Sequence, residues 1–140
     1  MDEPVKPERS GWRDEKLSRR HRKWGFNCPM VDIDLLALEY DAGRPSAVVE
    51  YKHEKAPPQF PSHASYRAIG WLATAASVPF MAVRYSDDLD RFRVVPLNSH
   101  AKAYLSGSAL MTEREYVGLL YRLRGRDVPN DLFDNWDVEV

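Results

Sequence analysis

Four charged residues stand in stretches that otherwise suit the interior of a sheet. Asp32 and Asp34 lie in Val31-Asp32-Ile33-Asp34, and Glu50 and Lys52 lie in Ala47-Val48-Val49-Glu50-Tyr51-Lys52-His53. Between the two stretches Asp41-Ala42-Gly43-Arg44-Pro45 supplies turn residues, which reads as a β-hairpin. Side chains alternate along a strand, so Asp32 shares a face with Asp34, and Glu50 with Lys52, while Ile33, Leu35, Val49 and Tyr51 point the other way. With the turn centred near Ala42, Asp34 comes opposite Glu50. Two facing carboxylates destabilise a sheet unless something positive lies between them. An oxygen pair of this kind suits Mg²⁺, which takes one or two carboxylates and keeps several waters. Lys52 would then stand beside the ion as a point charge for a phosphate or as a helper in activating water.

The rest of the chain has to hold this hairpin in place. Its 140 residues make one domain, and 44% hydrophobic with 29% charged residues is the balance of an ordinary globular protein. Residues 1–9, with Pro4 and Pro7, read as a flexible leader. A helix is expected from Ser10, a capping residue, to Trp24, with Gly25 as its stop. Strands follow at Val31 to Tyr40 and Ala47 to Lys52, then a proline-rich loop from Lys55 to Pro61. The spacing of Ala64, Ala68, Trp71, Leu72 and Ala75 predicts a helix over Ser62 to Ser77 with that stripe in the core. Phe80 to Tyr85 and Phe92 to Leu97 read as a second hairpin. Two helices close the domain, one from Ser99 to Leu105 and one from Thr112 to near Gly125. The second opens on Thr112 and Glu115 at capping-box spacing, with Met111 and Tyr116 as a staple. The expectation is an α/β fold, a mixed sheet flanked by helices, over residues 10–125, followed by an acidic tail over 126–140.

Asp34, a fifteen-residue spacer and Glu50-Tyr51-Lys52 at the end of an apolar strand resemble the Asp…Glu-x-Lys signature of the PD-(D/E)XK nuclease superfamily. A helix before the hairpin and an amphipathic helix after it are similar to that superfamily's core. The likeness covers roughly Ser10 to Leu97, and more narrowly it is to small phage- or prophage-type members. It implies a restriction-endonuclease-like fold with two extra C-terminal helices, and hydrolysis of DNA with Mg²⁺, or Mn²⁺, as cofactor. Carried over residue by residue, it implies Asp34, Glu50 and the Tyr51 carbonyl as metal ligands, with Lys52 as the catalytic lysine. Asp32 is the rival ligand, and Glu15 is a further candidate on the first helix. The superfamily's usual strand ahead of the Asp has little room between Gly25 and Met30. His63 and Tyr66 stand nearest to the Gln and Tyr that some members carry after the lysine.

Charge distribution agrees with a polyanionic partner. The net charge is −1, yet Trp12 to Trp24 carries Arg13, Lys16, Arg19, Arg20, Arg22 and Lys23 against Asp14 and Glu15. Lys16, Arg19, Arg20 and Lys23 can share one helical face, and with Arg67 they are the candidate DNA contacts. His53 and His63 flank the proline-rich loop and could orient phosphate or water. A lone Cys28 excludes an internal disulfide. No apolar stretch is long enough to span a membrane, and the polar N-terminus lacks the apolar run of a secretory signal, so a cytoplasmic protein is expected. A homodimer stays open. So does a different class of function, a catalytically inactive module of this fold that binds nucleic acid or a protein partner.

Overall fold

The structure is a computed structural model, and it describes residues 15–25, 29–58 and 60–134. The chain divides into two compact units, Met1–Asp32 and Ile33–Val140. Of the first, α1 (Glu15–Trp24) is described, closed by Gly25 in a left-handed conformation (φ 76°). Its expected start at Ser10, like the leader, Trp12, Arg13 and Cys28, lies outside the described residues.

The second unit is a five-stranded mixed sheet with helices on both faces. Its elements are β1 (Leu35–Glu39), β2 (Arg44–His53), α2 (Ala64–Ala75), β3 (Phe80–Tyr85), β4 (Phe92–Pro96), α3 (Ser99–Lys102), β5 (Ala109–Met111) and α4 (Glu113–Leu123). The strands lie in chain order; β2 runs parallel to β3, with α2 as the crossover, and all other pairs are antiparallel. Alternation divides the core in two. Ala47, Val49, Met81, Val83, Phe92 and Val94 pack on one face with Leu105, Tyr116, Leu119 and Leu123 from α3, α4 and their flanks. Val48 and Phe80 pack on the other with Tyr66, Ile69 and Ala73 of α2. Glu50 and Lys52 have the parity of Val48, so they emerge on the α2 face, beyond the apolar cluster.

A β-bulge decides which residues of the first hairpin meet. Glu39 pairs with Arg44 and Leu38 with Pro45, but Ala37 pairs with Ala47, which leaves Ser46 unpaired. The extra residue shifts the remaining pairs to Leu36 with Val48 and Leu35 with Val49, so one further step sets Asp34 against Glu50. Without it Asp34 would face Val49, and a one-residue slip turns every side chain to the opposite face.

Three expectations need correction. The first strand begins at Leu35 rather than Val31, because the Tyr51 N–H bonds the Asp34 carboxylate (2.9 Å) in place of a backbone carbonyl and the ladder ends there. On α2 the core-facing stripe is Tyr66, Ile69 and Ala73, whereas Trp71 is 75% exposed. The helix carries two apolar stripes, and the sheet takes the one beside Gly70, where a Cβ would stand 3.4 Å from the Phe80 ring. The helix expected to end at Leu105 stops at Lys102, and the three-residue strand β5 follows it. At the C-terminal end of the unit Arg124 and Arg126 both reach Glu39, and Arg126 also reaches Asp41 (2.7 Å). The capping box of α4 forms as expected, through Thr112 and Glu115.

The Ser46 hydroxyl is buried without a hydrogen-bond partner. Ser46→Ala is therefore expected to leave the melting temperature unchanged or to raise it, since an unsatisfied buried hydroxyl costs about 1–3 kcal/mol. Deleting Ser46 removes the bulge and is expected to lower it clearly. Thermal melts of the two variants test this; equal melting temperatures would show that the bulge does not set the pairing.

Candidate metal and nucleic-acid site

The end of the first hairpin brings two carboxylates into a reciprocal arrangement. The Asp34 N–H donates to Glu50 Oε1 (3.3 Å), and Asp34 Oδ2 accepts from the Tyr51 N–H. Each acid thus holds the backbone beside the other. Along β2 the N–H groups of Val48 and Glu54 turn toward β3, reaching Pro79 O at 2.8 Å and Tyr85 O at 2.9 Å. By alternation Tyr51 turns its backbone groups the other way, to the edge where β1 has ended and the Asp34 carboxylate lies.

Glu50 is 7% exposed. Burial, and after it the negative charge of Asp34, push its carboxyl up from the ordinary 4.5 to about 7, while the Lys52 charge acts in the opposite sense. Glu50 therefore binds a proton readily near neutrality, the behaviour of a site short of positive charge. Tyr66, the first buried residue of α2, feels the same field. Its hydroxyl is pushed up by burial and then by the charges of Glu50 and Asp34, with Arg84 opposing.

Oxygen donors alone meet here: two carboxylates and, at the same edge, the Tyr51 carbonyl. That set fits a hard divalent cation that retains water, as Mg²⁺ or Mn²⁺ does. Among the described residues there is no cluster of three or more His, Cys, Asp or Glu, so a cation at Asp34 and Glu50 would keep several positions for water or substrate oxygens.

The other candidates scatter. His53 has the opposite parity to Lys52 and so lies on the α4 face, where Nε2 meets Asp87, Nδ1 accepts from the Lys55 N–H (3.1 Å) and the ring packs edge-on against Tyr85. It does not join the carboxylates. His63 is the N-cap of α2, its Nδ1 accepting from the Ser65 N–H at 3.2 Å, which is a structural use of that side chain. Arg67 is exposed on the outer side of α2. Lys16, Arg19, Arg20 and Lys23 line one hollow on α1, with Glu15 paired to Arg19 at 3.1 Å. Asp32 is exposed and, like Glu15, belongs to the first unit.

Sequence reasoning overlooked Arg84. It pairs in register with Lys52, and its guanidinium donates to the carbonyls of Glu54 (3.3 Å), Ala56 (3.0 Å) and Pro57 (3.2 Å). Arg84 thereby pins the loop that leaves β2 after His53, one residue beyond Lys52. A charge inside Phe80-Met81-Ala82-Val83-Arg84-Tyr85 was the available signal, but its meaning depends on the parallel pairing, which spacing does not disclose.

No protein-family model, curated protein or solved structure matches this chain.

The Glu50 shift has a definite sign. Its folded-state value of about 7 lies above the ordinary 4.5, so its contribution to stability is fully present below pH 4.5 and is lost as the pH rises through 7. Glu50→Gln keeps the hydrogen bond from Asp34 and removes that loss. The variant is expected to be more stable than wild type by about 1–2 kcal/mol at pH 8 and to match it near pH 4. Denaturant melts at the two pH values measure this, and a variant equally destabilised at both would refute the shift.

Proposed function

We propose that this chain is a divalent-metal-dependent nuclease of the restriction-endonuclease-like PD-(D/E)XK type, hydrolysing phosphodiester bonds in DNA. The observation that carries this reading is the reciprocal pair of Asp34 and Glu50 at the open end of a hairpin, on the sheet face that also carries Lys52. The order of elements supports it: a helix, the hairpin with its acids, a crossover helix and a parallel strand. Asp34, Glu50 and the Tyr51 carbonyl would hold the ion, which when bound polarises a phosphate oxygen and lowers the pKa of a coordinated water. Lys52 supplies a fixed positive charge where charge develops on the phosphate. The Tyr66 hydroxyl, kept protonated by burial beside the two acids, is a hydrogen-bond donor at the same place. Arg84 holds the strand end that presents Lys52. The basic face of α1 would track the phosphate backbone.

One observation favours the second reading, a silent module of the same fold: Asp34 already serves the backbone by accepting from Tyr51. Amide variants separate the two roles, because Asn and Gln still accept these hydrogen bonds but bind Mg²⁺ poorly. Asp34→Asn and Glu50→Gln are expected to fold, bind DNA and cut nothing. Lys52→Ala should lower the cleavage rate about 10²–10³-fold with binding retained, since its charge acts chiefly in the transition state. The assay is incubation with single-stranded, duplex and branched DNA in Mg²⁺, Mn²⁺ or EDTA. A wild-type chain that cleaves none of them with either metal would leave the silent module.

The α1 contribution has its own readout. Arg19→Ala, Arg20→Ala and Lys23→Ala combined should flatten the slope of log affinity against log salt on duplex DNA by about 2–3 units. Unaltered affinity and slope would remove α1 from the interface.

A further inference from the structure

The outer side of α2 carries features that this chemistry does not use. Beside Trp71, three-quarters of it in solvent, runs a groove of about 570 Å³ lined by Pro61, Tyr66, Arg67, Trp71, Thr74 and Asn98 among others, none of them acidic. Arg67 and Trp71 are one helical turn apart and therefore neighbours on the surface. Tyr66 links the groove to the carboxylates, because it lines the groove while the charges of Glu50 and Asp34 act on its hydroxyl.

Resting on the nuclease reading, we propose that this groove receives an unpaired stretch of the nucleic-acid strand, with one base stacked on the Trp71 indole and a neighbouring phosphate on Arg67. An exposed indole offers a flat aromatic face. A base can cover it only if its own face is uncovered, which is true of unpaired or terminal nucleotides and false inside a duplex. The guanidinium beside it supplies the matching charge for the backbone. From Tyr66 to Thr74 the helix advances about 12 Å, the length of three or four stacked nucleotides.

The floor of the groove also sets what is not read. Asn98 spends its whole amide on the protein: Oδ1 accepts from the N–H groups of Phe80 (3.0 Å) and Ala101 (2.9 Å), and Nδ2 donates to Val78 O (2.9 Å) and Thr74 Oγ1 (3.2 Å). With both donors and the acceptor occupied it has nothing left for a base edge. Recognition then rests on stacking and charge, which are tolerant of sequence.

The test measures affinity of the full chain, in EDTA so that no strand is cut, for a labelled oligothymidylate and for a long, fully paired linear duplex, with wild type, Trp71→Ala, Trp71→Phe and Arg67→Ala. Wild type is expected to prefer the unpaired strand. Trp71→Ala should lose roughly 5- to 100-fold in affinity for it with little change on the duplex, and Trp71→Phe should retain most of the affinity. Arg67→Ala should weaken binding and flatten the salt slope by about 0.7. A Trp71→Ala chain that binds oligothymidylate as wild type does overturns the proposal, as does a wild-type preference for duplex. A wild-type dimer that Trp71→Ala converts to a monomer, with nucleic-acid affinity unchanged, overturns it too and assigns the groove to a second copy. Cleavage in Mg²⁺ is scored separately. Lost single-strand affinity in a chain that never cuts supports the groove and removes the nuclease reading, whereas cleavage indifferent to Trp71 on every substrate removes the groove alone.

Discussion

Two carboxylates that face each other across the end of a hairpin are the constraint around which this fold is arranged. Asp34 and Glu50 are held opposite each other by the backbone hydrogen bonds that the two carboxylates accept, from the N–H groups of Tyr51 and Asp34. The geometry depends on one unpaired residue. The bulge at Ser46 converts the register set by the turn into one that pairs Asp34 with Glu50. Bulges commonly re-aim side chains in this way. The parallel β2–β3 pairing then places Arg84 next to Lys52, and Arg84 ties down the loop beyond it. Hairpin, bulge and crossover thus converge on one small area of the α2 face.

The opposite face gives this area its rigidity. Tyr51, between Glu50 and Lys52 on β2, turns its ring into the α4 cluster, where its hydroxyl is hydrogen-bonded to that of Tyr116 and its ring packs edge-on against Tyr85 and Tyr116. Tyr116 in turn stacks on Phe92. Alternation makes the two faces inseparable. The side chains that anchor β2 to α4 are those whose neighbours present Glu50 and Lys52 on the other side.

Much of this was legible in the residues because it rests on alternation and local signals. Phe80–Tyr85 is found where the β-type run predicted it, and the α4 capping box follows from Thr112 and Glu115. The opposition of Asp34 to Glu50 followed from a turn centred near Ala42, although the turn and the bulge reach that register together. What escaped depends on partners distant in the chain. Trp71 was assigned to the core because α2 has two apolar stripes and periodicity alone does not say which one meets a sheet. The choice falls to Gly70 and the Phe80 ring. The strand β5 is three residues, Ala-Leu-Met, too short for any pattern. Likewise the pairing of Arg126, the first residue of the expected acidic tail, is set by partners distant in the chain, Glu39 and Asp41 on the first hairpin.

That pairing also supplies a comparison within a single hairpin. Glu39 and Glu50 are almost equally buried, 9% and 7% exposed, one at each end of the paired region. Glu39 is met by Arg126 and Arg124, and the hydrogen bond from Arg126 above all holds its carboxyl below the usual range. Glu50 meets instead another acid and a lysine, and its carboxyl rises. The same chain therefore has the means to neutralise a buried glutamate and applies them at one end only. If burying Glu50 served packing alone, an arginine or an apolar residue there would cost less. A carboxylate kept buried, opposed to a second carboxylate and short of fixed positive charge, is an arrangement whose electrostatic deficit a mobile cation can fill. The Glu39 end of the hairpin is thus closed by fixed positive charge, and the Glu50 end is the one left short of it.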